Sequence, residues 1–242
     1  MRAGVRRATQ RLSCRRHPPE EGEHEVKPRI IIADDHRILR DGIAAQLGVE
    51  GRYDVVAQAA DGLEAVALCK QYHPDVIIMD LGMPQLNGIE ATRQVIEVCG
   101  GTKVLALSMH SEQRYVADAL QAGVAGYVLK DAAFEELERA LDTVLSGGVY
   151  LSPGIQAAVI DHALGRGPGV RGATSKELTA REREILQMVA EGLTAKQIAA
   201  TLHLSVKTVE THRRQVMEKT GANSVADLVR YAIREGIATL DQ

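Results

Sequence analysis

The sequence predicts an α/β domain followed by a small all-helical one, and three observations carry that reading. Short apolar runs recur at Ile30–Ala33, Val76–Met79, Val104–Leu107 and Gly126–Leu129, each too short for a helix. Such runs read as strands buried on both faces, as in parallel sheets. Helical periodicity fills the intervals between them. Beyond the glycine-rich stretch 165–175 the strand signal stops, and only capped helical segments follow. The expected architecture is a doubly wound five-stranded parallel sheet, then four helices.

Taken in order, residues 1–26 carry six arginines, then Pro18-Pro19 and four glutamates, with no apolar periodicity. They are expected to be a disordered tail, since nothing there can form a core. The Arg-rich start has the composition of an organelle transit peptide. A dispensable tail or a misplaced start codon is the plainer reading. The first strand ends at Asp34-Asp35, and a helix follows with Ile38, Leu39, Ile43 and Leu47 on one face. Tyr53–Gln58 reads as the second strand, and Gly62–Gln71 as a helix with Leu63, Val66 and Ala67 inward. The third strand runs into Asp80, after which Met83-Pro84 and Asn87-Gly88 force a turn before a helix over 89–98. The fourth strand leads to Ser108 and a helix around 115–121 closed by Gly123. The fifth leads to Lys130 and a helix over 133–145, ended by Gly147-Gly148.

A short helix over 155–164 leads into the flexible linker. Thr179, Thr194 and Ser205 then stand as N-caps of three successive helices, and a fourth spans 224–235. The tight turn at Leu204-Ser205 makes the second and third of these a helix-turn-helix candidate. The predicted domains are therefore 1–27 (tail), 28–148, 149–175 (linker) and 176–242.

Composition bounds the function. At 242 residues and 45% apolar, the chain can fill two cores, and no apolar run approaches a membrane span. The three cysteines are scattered and odd in number, without metal or disulfide spacing, which suits a reducing cytoplasm. Residues 27–150 hold 11 Lys/Arg against 18 Asp/Glu, a charge of −7, whereas 174–242 hold 10 against 9, a charge of +1. Two different jobs are implied, although no strongly basic footprint marks a nucleic-acid surface.

Strand ends at one sheet edge are where open α/β sheets bind ligands. Here they deliver Asp34, Asp35, Asp80, Ser108 and Lys130. The carboxylates form an all-oxygen pocket suited to Mg²⁺. Asp80 is a candidate nucleophile for a phosphoryl group, with Ser108 and Lys130 to bind its oxygens. Taken alone, an Asp after a strand is as consistent with capping the next helix.

The segments IIIADDHRILRDGI, VIIMDLGMPQLNGIEATR, VLALSMH and GYVLKDA resemble the receiver domain of two-component response regulators. The stretch LTAREREILQMVAEGLTAKQIAATLHLSVKTVETHRRQVMEKTGANSVADLVRYAI resembles the LuxR-type DNA-binding domain. Together they resemble the NarL/FixJ family over roughly residues 28–236. The resemblance implies a flavodoxin-like receiver and no enzyme activity beyond the phosphoacceptor site. Asp80 would be phosphorylated by a sensor histidine kinase. Asp35 would be a direct Mg²⁺ ligand, Asp34 a ligand through water, and Gly82 a ligand through its backbone carbonyl. Tyr127 would be the aromatic switch residue, turning inward as Ser108 moves to the phosphate. His36 and His110 are read as neighbours of the site.

In the second domain the resemblance sets Glu210, Thr211 and Arg214 facing bases, and Lys196, Lys207, Thr208 and Arg213 facing phosphates of promoter half-sites. Glu182 and Arg183 read as structural, and Ala195 replaces an Asn common in the family. Val225, Leu228 and Val229 read either as a dimer face or as core. Further implied partners are a second copy of the chain on activation and RNA polymerase, with no membrane partner.

Two other functions compete with this reading. A phosphatase of the haloacid-dehalogenase kind carries an Asp two residues after its nucleophile, where this chain has Gly82. A DNA-binding protein whose receiver no longer takes phosphate would not need the complete site.

Overall fold

The computed structural model describes residues 26–156, 159 and 178–238. The expected tail up to residue 25, the expected linker 165–175 and most of the expected short helix over 155–164 lie outside the described residues.

The first domain alternates strand and helix: β1 (Arg29–Ala33), α1 (Arg37–Glu50), β2 (Asp54–Ala59), α2 (Gly62–Tyr72), β3 (Val76–Asp80), α3 (Gly88–Val98), β4 (Lys103–Ser108), α4 (Gln113–Ala122), β5 (Gly126–Leu129), α5 (Phe134–Leu145). A sixth strand, β6 (Tyr150–Leu151), follows where the sequence suggested linker. The order is β2-β1-β3-β4-β5-β6 and all pairs are parallel. The sheet therefore has six strands rather than five. The extra one is only two residues long, too short to show any alternation in the sequence.

Period-two geometry sorts each strand between two cores. Ile30 and Ile32 pack with Ile43 and Leu47 of α1 and Leu137, Leu141 and Val144 of α5. Ile31 and Ala33 face the other way, with Val66 and Cys69 of α2, Val95 of α3 and Val116 of α4. Burial on both faces explains why these strands read as unbroken apolar runs.

Two predicted inward residues point out. Ile38 is 91% exposed, because at 3.6 residues per turn it lies on the far side of α1 from the line of Leu39, Ile43 and Leu47 that meets the core. In α2 the buried stripe is Gly62, Ala65, Val66 and Cys69, which leaves Ala67 exposed and Leu63 half-buried. Strand β2 begins and ends one residue later than read.

The second domain holds α6 (Ala180–Ala190), α7 (Ala195–Thr201), α8 (Val206–Thr220) and α9 (Val225–Arg234). Thr179 and Thr194 each form a reciprocal capping box, with Glu182 and Gln197. Ser205 caps α8 and Ser224 caps α9 through their side-chain oxygens. Ile185, Leu186, Ile198, Val209, Val216 and Leu228 form the core. Leu228 is thus a core residue, whereas Val225 at the start of α9 is exposed.

Candidate functional site

The loops after β1, β3, β4 and β5 open at one edge of the sheet, because parallel strands all end on the same side. The β1 end delivers Asp34 and Asp35, and β3 delivers Asp80 as its last residue. Strand β4 ends at Ser108, whose carbonyl accepts from the Lys130 N–H at 2.9 Å, so the ends of β4 and β5 are pinned together. Asp34 is 1% exposed and Asp80 4%.

The Lys130 ammonium lies 2.7 Å from Asp80 Oδ2 and 2.8 Å from Asp34 Oδ2. Burial works against its charge, but Asp80 and Asp34 outweigh that and hold its pKa above the ordinary value. The Asp80 carboxyl is pushed up, first by burial and further by Asp34, with Lys130 and the Gly82 N–H opposing. That N–H donates to Asp80 Oδ1 at 3.1 Å. The remaining carboxylate, Asp35, faces His36 Nδ1 at 2.9 Å, and His36 also lies 3.2 Å from Asp34 Oδ1.

Ligand atoms of Asp34, Asp35, His36 and Asp80 fall within 4.8 Å of one another. Asp34 Oδ2 and Asp35 Oδ1 are buried, facing the Lys130 ammonium at 2.8 Å and the His36 ring at 2.9 Å. Hard, negatively charged oxygens gathered in this way fit a magnesium ion. His36 stands beside the carboxylates, as a neighbour of the site.

Gly88 opens α3 against the back of this site. A Cβ there would meet the Asp80 carbonyl oxygen at 2.0 Å, so the glycine is required by close approach of two backbones. The sequence marked Asn87-Gly88 only as a turn.

Tyr127 is fully buried, and burial pushes its phenol up to about 12. Its hydroxyl donates to the His110 carbonyl at 2.7 Å, while the His110 N–H donates to Ser108 Oγ at 3.1 Å. The His110 ring stacks on Tyr115, centroids 4.3 Å apart. Tyr115 in turn lies where a Cβ on Gly236, at the end of α9, would stand 2.9 Å from its ring. His110 and Tyr115 therefore join the strand-end site to the second domain, a role the sequence did not disclose.

The other end of the chain presents α8. Lys196, Lys207, Glu210 and Arg214 are exposed, and Thr208, Thr211 and Arg213 half-exposed. Several are already engaged. Thr208 meets the Ser205 cap at 2.7 Å, the Thr211 hydroxyl donates to the Lys207 carbonyl at 2.9 Å, and Arg213 pairs with Glu210 at 3.1 Å. Glu182 is structural, as expected: its carboxylate closes the capping box and meets Lys219 at 2.6 Å.

Comparison with known proteins agrees with both halves. Residues 30–142 match the family model "Response regulator receiver domain", and 176–232 match "Bacterial regulatory proteins, luxR family". The chain belongs to the NarL/FixJ family of response regulators. It is 35% identical over 229 residues to the transcriptional regulatory protein DegU of Brevibacillus brevis, covering 89% of this chain and 97% of that one. It is 37% identical over 211 residues to the oxygen regulatory protein NreC of Staphylococcus carnosus strain TM300, covering 86% and 97%. Among solved structures, RcsB of Salmonella enterica serovar Typhimurium, bound to a promoter in the presence of the phosphomimetic BeF₃⁻, aligns with TM-score 0.54. It is 26% identical over 85% of this chain and 98% of that one. As a family member the chain is a two-component, DNA-binding transcriptional regulator and not an enzyme. Among the described residues no helix is long and apolar enough to cross a membrane.

Proposed function

We propose that this response regulator is switched by phosphorylation of Asp80 and that the switch governs binding of α8 to promoter DNA. The observation that carries the reading is the Lys130 ammonium, held between two buried carboxylates at 2.7 and 2.8 Å. In the transfer, an Asp80 oxygen bonds to the phosphorus of a phosphohistidine on a sensor kinase. The P–N bond breaks and the imidazole leaves. Lys130 and the Ser108 hydroxyl then face the three phosphoryl oxygens. Asp34, Asp35, Asp80 and the Gly82 carbonyl would hold Mg²⁺, which neutralises charge as the anionic phosphoryl group meets the anionic carboxylate.

Attraction of Ser108 to the phosphoryl group removes the partner of the His110 N–H, and the linked Tyr127 and Tyr115 respond. Moving the population from mostly off to mostly on requires about 5 kcal/mol of preference for the active state. In the second domain Glu210, Thr211 and Arg214 are the proposed base contacts. Lys196, Lys207, Thr208 and Arg213 are the proposed phosphate contacts on promoter half-sites. A homodimer forms on activation and acts with RNA polymerase in the cytoplasm.

The test is DNA binding by the whole chain with and without beryllofluoride and Mg²⁺, beside Asp80→Asn. The mimic is expected to strengthen binding or drive dimerisation, and Asp80→Asn to abolish that response. Equal affinity in every condition would remove phosphorylation as the gate.

A further inference from the structure

The loop joining Asp80 to α3 is held from outside its own domain. Gln187 of α6 is 2% exposed and threads its carboxamide into that loop. Its Nε2 donates to the Met83 carbonyl at 3.0 Å, and its Oε1 accepts from the Asn87 N–H at 2.8 Å. One turn later the Glu191 carboxylate accepts from the Gln85 N–H at 3.1 and 3.2 Å, and burial there pushes its pKa up. Gln85 has φ +64°, a left-handed conformation unfavourable for any residue with a Cβ. The Gln187 amide also donates to Glu191 at 2.8 Å, so the two side chains act as one clamp. The alternate main-chain groups of a short loop are thus satisfied by two side chains of the DNA-binding domain.

That loop includes Gly82, whose N–H is closed onto Asp80 Oδ1 while Lys130 takes Oδ2. Charging Asp80 adds a phosphorus and three oxygens beside Gly82 and Met83, and the loop must give way to admit them. A clamp that fixes Met83, Gln85 and Asn87 resists this movement.

We propose that Gln187 and Glu191 are positioning residues for phosphoryl transfer to Asp80, and that by clamping the acceptor loop the docked DNA-binding domain slows the charging of its own receiver. Coupling free energy is reciprocal, so the charged loop loosens the clamp by the same factor. The proposal rests on the reading of Asp80 as phosphoacceptor.

The experiment uses the whole chain, Gln187→Ala/Glu191→Ala and Glu191→Gln. Two quantities are read: the rate at which acetyl phosphate with Mg²⁺ labels the protein, and hydrogen exchange of the peptide spanning 81–88 without any phosphodonor. In the labelling step an Asp80 oxygen bonds to phosphorus as the P–O bond to acetate breaks and acetate leaves. The double variant is expected to label at least about fivefold faster, the lower edge of ordinary coupling between sites. Its 81–88 amides should exchange faster. Glu191→Gln, which keeps an acceptor oxygen, should stay close to the parent in both.

If loss of Gln187 prevents folding, Glu191→Ala carries the same prediction, since Glu191 stands at the C-terminal end of α6 and its side chain fills no core. Unchanged or slower labelling, or unchanged exchange over 81–88, overturns the proposal. Should the parent take no label and match Asp80→Asn, the phosphoacceptor reading falls instead. The exchange measurement then still reports on the clamp.

Discussion

The strand-end site of the receiver and the recognition helix of the DNA-binding domain hold their charged groups in opposite ways. In the receiver, Asp34, Asp80 and Lys130 are nearly inaccessible, and each is fixed by a strand terminus whose neighbours are set by the sheet register. In the recognition helix α8 the functional candidates lie on a solvated face, where Glu210 and Arg213 pair with each other. Buried charge is expensive unless compensated, so the receiver can move only by exchanging one compensated state for another. Surface charge costs little to rearrange, so α8 can trade its internal pairs for bases and phosphates. Switching energy thus resides in the receiver and readout flexibility in the helix.

The largest expected effect comes from removing the compensating cation. Lys130→Ala leaves Asp34 and Asp80 facing each other, buried, and is expected to destabilise the receiver by about 4 kcal/mol near neutral pH. Mg²⁺ should recover much of this loss, because a dication replaces the missing charge. Urea unfolding with and without Mg²⁺ measures it. A small loss, or one indifferent to Mg²⁺, would break the contrast between the two regions.

Next is Gly88→Ala. Its Cβ would press on the Asp80 carbonyl oxygen, and only backbone movement can relieve the clash. A cost of about 3 kcal/mol is expected, together with slower labelling by acetyl phosphate, since Asp80 itself is displaced. Labelling at the parent rate would mean that the acceptor tolerates a shift of the strand end.

How much of this was legible in the sequence follows the same division. Where a side chain's position is dictated by the end of a strand, spacing was sufficient: Asp34, Asp80, Ser108 and Lys130 converge as the apolar runs implied. Ile38 and Ala67 were misjudged because each is apolar but turned away from the buried line of its helix, Ile43–Leu47 in α1 and Val66–Cys69 in α2. The interdomain contacts were not legible. Gln187 and Glu191 look like the solvent side of α6, Glu184 meets Gln94 at 2.5 Å, and Arg183 reaches Glu90 of α3 at 2.9 Å. One signal was present. Residues 184–189 are buried on every side, and the composition EILQMV has no clean polar stripe, as expected of a helix packed on two fronts. Glu90, 2% exposed between Arg93 and Arg183, reads from sequence as an ordinary first-turn acid.

In the second domain's DNA-facing candidates, Glu210 of α8 and Lys196 of α7, the expected effects are smaller and of two kinds. Glu210→Ala should relax specificity at one base position by about 1–3 kcal/mol and release Arg213 from its ion pair. Lys196→Ala should weaken all DNA sequences alike and lower the salt slope by about one. Binding measured across a set of half-site variants at several salt concentrations separates the two. If both substitutions act uniformly, Glu210 is not read against a base.

The smallest effect concerns a buried carboxylate of the second domain that, like those of the receiver, is paired with a lysine. Glu182 is buried and would be pushed up on that account, but Lys219 and the Thr179 N–H and hydroxyl outweigh burial and hold its pKa below the ordinary 4.5. A depressed carboxylate pKa contributes stability that is fully present above the unfolded value and is lost as pH falls through the folded one. Lys219→Met removes the principal lowering influence. The parent should therefore be the more stable of the two at pH 6, with the gap closing below about pH 4.5 as Glu182 is protonated in both. Urea midpoints of the second domain's transition, followed from pH 6 to pH 3, measure the gap. A gap that persists at pH 3 would mean that Lys219 stabilises through its aliphatic stem rather than its charge. The Glu182–Lys219 contact would then not act as a charge pair, and the contrast with the receiver would widen.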